Sequence, residues 1–166
     1  MQADGATPAD SLDTAVLRAL CARHGDAPER LIEILHDLQE LAGHVPEAAL
    51  PVIAEALNLG RAEVHGVASF YHDFRRAPAG PVVVRLCRAE ACQARGALAL
   101  IDEALEQRGA ALGETAADGV TLEAVYCLGN CALGPAGTVN GRLHGRLGAD
   151  RLERLVAEAF AEEEAR

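Results

Sequence analysis

From Leu12 onward the apolar positions recur at helical spacing. Leu12, Ala15, Val16, Ala19 and Leu20 share one face and predict a helix ending near Gly25. Pro28 opens a second helix at its first turn, with Leu31, Leu35, Leu38 and Ala42 along it and Gly43 closing it. Pro46 and Pro51 begin short helical pieces that reach Leu57. Arg61 to Phe70 reads as a further helix with Val64, Val67 and Ala68 turned inward, and no strand pattern occurs before Phe74.

The stretch RRAPAGP, Arg75 to Pro81, breaks that regime and marks a domain boundary. Val82 to Leu86 is a short run rich in β-branched residues, suited to a strand buried on both faces. Ala94 to Arg108 is helical, with Leu98, Ile101, Ala104 and Leu105 facing the core, and Val120 to Tyr126 alternates as a strand. Ala136–Val139 and Arg142–Leu147 flank Asn140-Gly141, a preferred two-residue hairpin turn. Asp150 to Glu164 closes as a helix carrying Leu152, Leu155, Val156, Ala159 and Phe160 on one side. The expected fold is therefore α+β. A disordered lead-in over residues 1–10 precedes an N-terminal helical bundle over 11–76, and an α/β domain of order β-α-β-β-β-α follows over 81–166.

Composition narrows the chemistry. Half of the 166 residues are hydrophobic but only 3% are aromatic, so the core must be aliphatic. The net charge of −10 argues against nucleic acid, whose phosphates require a basic face. No run approaches the roughly 20 apolar residues needed to cross a bilayer, and the N-terminus lacks a signal-peptide pattern. A cytoplasmic location without membrane insertion is expected, where thiols stay reduced and the five cysteines read as ligands or redox groups.

Two cysteine pairs follow the two main strands: Cys87 and Cys92 in RLCRAEACQ, and Cys127 and Cys131 in VYCLGNCALGP. If the strands run parallel, both loops leave the same sheet edge, where open α/β sheets place their sites. The pairs have four and three intervening residues. Zinc sites favour shorter spacers, because one metal must hold all four sulfurs at about 2.3 Å. Looser spacers suit a two-iron cluster, whose irons take two thiolates each. Spacing alone favours the cluster and leaves a zinc-stabilised interaction module as the rival. A dithiol redox pair would need two intervening residues, and a Rieske site a histidine two places after a cysteine; neither occurs.

The cysteine pattern, together with RAEVHGVASFYHDF (Arg61 to Phe74) and ILHDLQELAGHVPEAAL (Ile34 to Leu50), resembles the thioredoxin-like 2Fe-2S ferredoxin family. That family supplies the small iron–sulfur subunit of NADH dehydrogenase and related NAD-linked enzymes. Within it, RLCRAEACQARG is most similar to the gamma subunit of NAD-dependent molybdenum formate dehydrogenase. Arg88-Ala89-Glu90-Ala91 stands where respiratory NADH dehydrogenase subunits carry small and hydroxyl residues. The resemblance implies a thioredoxin-like C-terminal domain and one 2Fe-2S cluster on Cys87, Cys92, Cys127 and Cys131. It implies an FMN- and NADH-binding iron–sulfur flavoprotein partner and a molybdenum-containing formate dehydrogenase catalytic subunit. It also implies that the helical domain helps dock the subunit. The subunit would move electrons and have no substrate-converting site of its own; no Walker A loop or GxGxxG motif is present.

Two ferric ions, two sulfides and four thiolates sum to a charge of about −2, and an added electron makes about −3. Loop amides around Gly129 and Gly134, with Arg88 or Arg95, are the candidate stabilisers. Other residues carry structural expectations. Cys21 reads as a buried thiol, and the six histidines as surface or hydrogen-bonded groups. Phe70, Tyr71 and Phe74 read as a core cluster, Glu162 to Glu164 as a solvated helix end. Pro135 is a candidate for the cis isomer, which few X-Pro bonds take.

Overall fold

The computed structural model describes residues 12–165, and the lead-in expected over residues 1–10 lies outside them. The chain divides after Pro78 into a helical unit and a unit built on a sheet.

The helical unit comprises α1 (Thr14–Arg23), α2 (Leu31–Ala42), α3 (Ala49–Ala56) and α4 (Arg61–Phe70). Asp13 caps α1, its carboxylate accepting the Ala15 amide at 3.0 Å. The buried face of α1 is Leu17, Leu20 and Cys21, whereas Ala15, Val16 and Ala19 lie outward. The expected face was one ridge away, because small apolar residues on both ridges give similar periodicity. A 3₁₀ turn over Pro28–Arg30 leads into α2, and Gly43 ends it with φ +79°. Pro46 starts no helix of its own; α3 alone forms, with Pro51 in its first turn, where a missing N–H is harmless. Ile34, Leu35, Leu38, Ile53 and Val64 are fully enclosed, each contributing about 2 kcal/mol of apolar burial.

Gln39 bonds to the segment after α4 through both ends of its amide: Nε2 donates to the Asp73 carbonyl and Oε1 accepts the Arg75 amide. This tether seats Phe74 in the core. Phe70 is 73% exposed and Tyr71 42%, so the expected aromatic core cluster reduces to Phe74 alone. His44 is buried beside the Ala42 carbonyl, 3.2 Å from Nδ1.

In the second unit, β1 (Val82–Cys87) pairs parallel with β2 (Val120–Val125), in register from Val82↔Val120 to Cys87↔Val125. β3 (Gly137–Val139) runs antiparallel on the other side of β1, and β4 (Arg142–His144) completes the order β2-β1-β3-β4. The hairpin turn has φ +44° at Asn140 and +80° at Gly141, the two positive values a type I′ turn requires. Asn140 also pins the hairpin to β1: its side-chain oxygen accepts the Val83 amide at 2.8 Å. Strand β2 does not alternate, since Val120, Thr121 and Leu122 are all buried. Thr121 is tolerated there because its hydroxyl accepts the Gly80 amide and bonds to Thr115, both at 2.8 Å.

The helix expected over 94–108 is instead a short α5 (Glu90–Gln93) and a longer α6 (Ala97–Arg108), separated at Gly96 with φ +87°. That break resets the phase. Ala97, Leu100, Ile101 and Ala104 face inward while Leu98 stays outside. The C-terminal helix α7 (Ala149–Glu164) buries Leu152, Val156 and Ala159 against the sheet. No described helix is long and apolar enough to cross a membrane.

Candidate metal centre

Because β1 and β2 are parallel, their C-terminal ends share one edge of the sheet. Cys87 is the last residue of β1, and Cys92 lies in α5 five positions on. Cys127 follows β2 after Tyr126, and Cys131 opens a 3₁₀ turn that ends at Leu133. All four predicted ligands therefore reach the same edge. Cys87 and Cys92 are buried, whereas Cys127 and Cys131 are exposed. Cys21, the fifth, is enclosed in the helical unit.

The sulfurs come as two pairs. Cys127 and Cys131 stand 3.7 Å apart at Sγ. A tetrahedral metal with metal–sulfur bonds of about 2.3 Å holds two sulfurs roughly 3.8 Å apart, so this pair has the bite of one metal. Cys87 and Cys92 lie close enough for each to shift the other's thiol. Across the pairs, Cys131 feels the charge of Cys87, and Cys92 that of both Cys87 and Cys131. Among the described residues no three His, Cys, Asp or Glu side chains are placed around a single ion.

Backbone amides supply the positive side of the site. Burial pushes the Cys87 thiol up, but amides of Ala89, Cys127 and Leu128 and the Cys92 thiol outweigh it, and its net shift is downward. Burial raises Cys92, partly offset by the Ala136 amide, and the neighbouring Cys87 raises it further. Cys131 is raised chiefly by its hydrogen bond and charge contact with Cys127. The donors are thus Cys127, Leu128 and Ala136, in the loop stretches expected around Gly129 and Gly134, together with Ala89, which the sequence did not suggest. Cys127 has φ +64°, in the left-handed region that costs a residue with a Cβ about 1 kcal/mol. That turn aims its own N–H and the next one toward Cys87, a small anion nest. No sequence signal marks it.

Gly134 has a different task from the one expected. A Cβ there would lie 3.2 Å from Cys92 Sγ and 3.0 Å from Arg95 Cδ. It keeps the second loop close to the first, and the following Pro135 is cis. Gly145 acts alike: a Cβ would meet Leu133 at 2.7 Å and Asn130 at 2.8 Å, so the loop after β4 packs on the Cys131 turn. Arg88 is half-buried, its amide on the Val125 carbonyl at 2.8 Å, and Arg95 is exposed.

The arrangement is a thiol-lined site, with backbone amides turned toward it, on a mixed four-stranded sheet. The model of the family described as thioredoxin-like [2Fe-2S] ferredoxin matches residues 17–159, and the chain belongs to that family. Its fold is thioredoxin-like with helices at the N-terminus, and its cofactor is a 2Fe-2S cluster, the chemistry that the four thiols fit. One NADH-quinone oxidoreductase subunit, from Pseudomonas aeruginosa, is 38% identical over 126 residues, 75% of this chain and 76% of that protein. NADP-reducing hydrogenase subunit HndA of Solidesulfovibrio fructosivorans is 29% identical over 129 residues, 77% of this chain and 75% of the relative. A crystal structure of an NAD+-reducing [NiFe]-hydrogenase in the H2-reduced state superposes with a TM-score of 0.62 at 26% identity. That likeness covers 80% of this chain and 22% of the hydrogenase chain.

Proposed function

We propose that this chain is the electron-transfer subunit of an NAD-linked oxidoreductase complex, and that Cys87, Cys92, Cys127 and Cys131 hold its single 2Fe-2S core. The observation that carries the reading is the arrival of both thiol-bearing loops at one end of the parallel β1–β2 pair, with Cys127 and Cys131 3.7 Å apart at Sγ. The core supplies one-electron storage. The chain supplies the thiolates, the amides of Ala89, Cys127, Leu128 and Ala136 against the added negative charge, and burial on the Cys87–Cys92 side. No acid, base or nucleophile is needed. Electrons pass to and from an FMN- and NADH-binding flavoprotein partner, in the cytoplasm. The exposed Phe70 and Tyr71 support a docking role for the helical unit.

At the finer level the complex is an NAD-dependent formate dehydrogenase with a molybdenum catalytic subunit. The support is Arg88-Ala89-Glu90-Ala91 between the first two cysteines. The names of the relatives support a second reading, the equivalent subunit of an NADH-quinone oxidoreductase or of an NAD(P)-reducing hydrogenase. Co-purification of the intact complex separates them, by whether formate, hydrogen or NADH reduces the chain. Iron and sulfide analysis with low-temperature EPR of the reduced chain tests the cluster itself. A colourless protein with one equivalent of zinc would overturn it.

A further inference from the structure

The cluster-bearing edge of the sheet unit has a charge distribution opposite to that of the rest of the chain. β1 and β2 end there, β3 begins there, and β4 returns to it before α7 starts. Five arginines gather at that edge. Arg88 follows β1, and Arg95 lies against Gly134 close to Cys92. The amide of Arg146 donates to the Leu133 carbonyl at 2.6 Å, and Arg146 lines a shallow recess with Arg151 and Arg154 of α7. None of the five has a carboxylate at ion-pair distance among the described residues. The other described arginines of the unit are paired: Arg85 with Glu123, Arg108 with Asp118 and Glu153, Arg142 with Glu162.

The carboxylates at this edge are Glu90 and Asp150, whereas residues 79–166 together hold 13 acidic and 9 basic side chains. Unpaired like charges repel one another, yet Arg88, Arg95 and Arg146 lie on or against the thiol-bearing loops, with Arg151 and Arg154 beside Arg146. Tyr126, 71% exposed, and Leu133, 39% exposed, supply apolar contact at the centre. An apolar centre with an aromatic residue and an arginine rim is the make-up of a protein–protein interface. An extended polyanion such as a membrane or nucleic acid would also meet the chain's net charge of −10, whereas a local acidic patch would meet only the arginines.

We propose that this edge is the docking face for a redox partner protein, and that the partner meets Arg146, Arg151 and Arg154 with aspartate and glutamate side chains around the Tyr126–Leu133 contact. The proposal rests on the electron-transfer reading above and adds the chemistry of the partner's surface.

The test compares the full chain, cluster loaded, with an Arg146→Gln/Arg151→Gln/Arg154→Gln variant whose circular dichroism and visible spectrum match the parent. Poly-L-glutamate stands in for the partner's carboxylates, titrated by calorimetry at low and high salt. In stopped flow, the reduced chain gives one electron to the cobalt(III)–EDTA anion or to the tris(ethylenediamine)cobalt(III) cation, leaving cobalt(II). The expected result is salt-sensitive poly-L-glutamate binding that the variant weakens about tenfold. The anion-to-cation rate ratio should fall by a similar factor, the scale of electrostatic steering. In the purified complex, the variant should be released at lower salt than the parent. Unchanged poly-L-glutamate binding would overturn the proposal. So would equally tight binding to phosphatidylserine vesicles, which would make the edge a membrane face. A shift in reduction potential with binding intact would also overturn it, making the arginines counter-charges to the cluster. Absence of iron and sulfide would instead defeat the electron-transfer reading, while the poly-L-glutamate titration still reports on the face.

Discussion

Gly134 shows how a single missing Cβ can shape a site without any special backbone angle. Its φ is −65°, so alanine is conformationally acceptable there, but the added carbon would press on Cys92 Sγ. Gly134→Ala should therefore cost about 1–3 kcal/mol of overpacking, felt at the ligand loops. The measurable outcome is a lower visible absorbance per chain and faster loss of iron to a chelator, with helix content unchanged. A fully loaded variant would show that the loops move apart freely. Cys21 behaves differently. Burial, then the charge of Asp26, raises its thiol above the ordinary 9.0. The native state holds that proton more tightly than the unfolded chain. Its stabilisation is complete below about pH 9 and is lost as pH climbs through the raised native value. Denaturant unfolding of Cys21→Ala and the parent between pH 7 and 10 should show only the parent losing stability from this group. In the native protein Cys21 should also be slow to react with thiol reagents.

At the scale of elements, Arg108 joins three of them. Its side chain is 4% exposed at the end of α6, 2.9 Å from Glu153 of α7 and 3.4 Å from Asp118 before β2. The contact to Asp118 is an ion pair only, since Nε has no hydrogen-bond partner. Arg108→Met keeps the buried stem and removes the charge from between half-exposed carboxylates, so the loss should be moderate, about 1–2 kcal/mol. Thermal unfolding of the sheet unit, followed through the cluster's visible absorbance, would register it. The β3–β4 hairpin was legible from Asn140-Gly141, because a turn needing two positive φ values leaves few residue choices. The α5–α6 break was not. Gly96 permits a left-handed turn, but the residues around it carry no signal that the chain uses it.

Over the whole molecule, the two units have separate hydrophobic cores, one of helices α1 to α4 and one under the sheet. The cluster thiols belong to the second alone, with Cys87 and Cys92 in a small apolar group beside Ala97 and Ala136. Cys92→Ser or Cys127→Ser should strip or distort the cluster while far-UV circular dichroism retains most of its helical signal. A global collapse of that signal would mean the helical core depends on the metal site. An unchanged visible spectrum would remove these residues from the ligand set.

Local patterns determined much of this protein. The punctuation at RRAPAGP, the apolar run Val82 to Leu86 and the four thiols each rest on neighbours a few positions apart, where propensity and spacing operate. Tertiary contact decided the rest: which ridge of α1 turns inward, the left-handed turn at Cys127 and the amides that face Cys87. It also decided the close approach at Gly134 and the gathering of Arg146, Arg151 and Arg154 at the cluster edge. The α1 ridge depends on the other helices of its own unit, and the remaining features on segments about forty to sixty residues apart meeting at one edge of the sheet. A backbone angle or a sulfur's neighbours are fixed there by the partners that arrive, and a residue's own sequence surroundings carry no record of them.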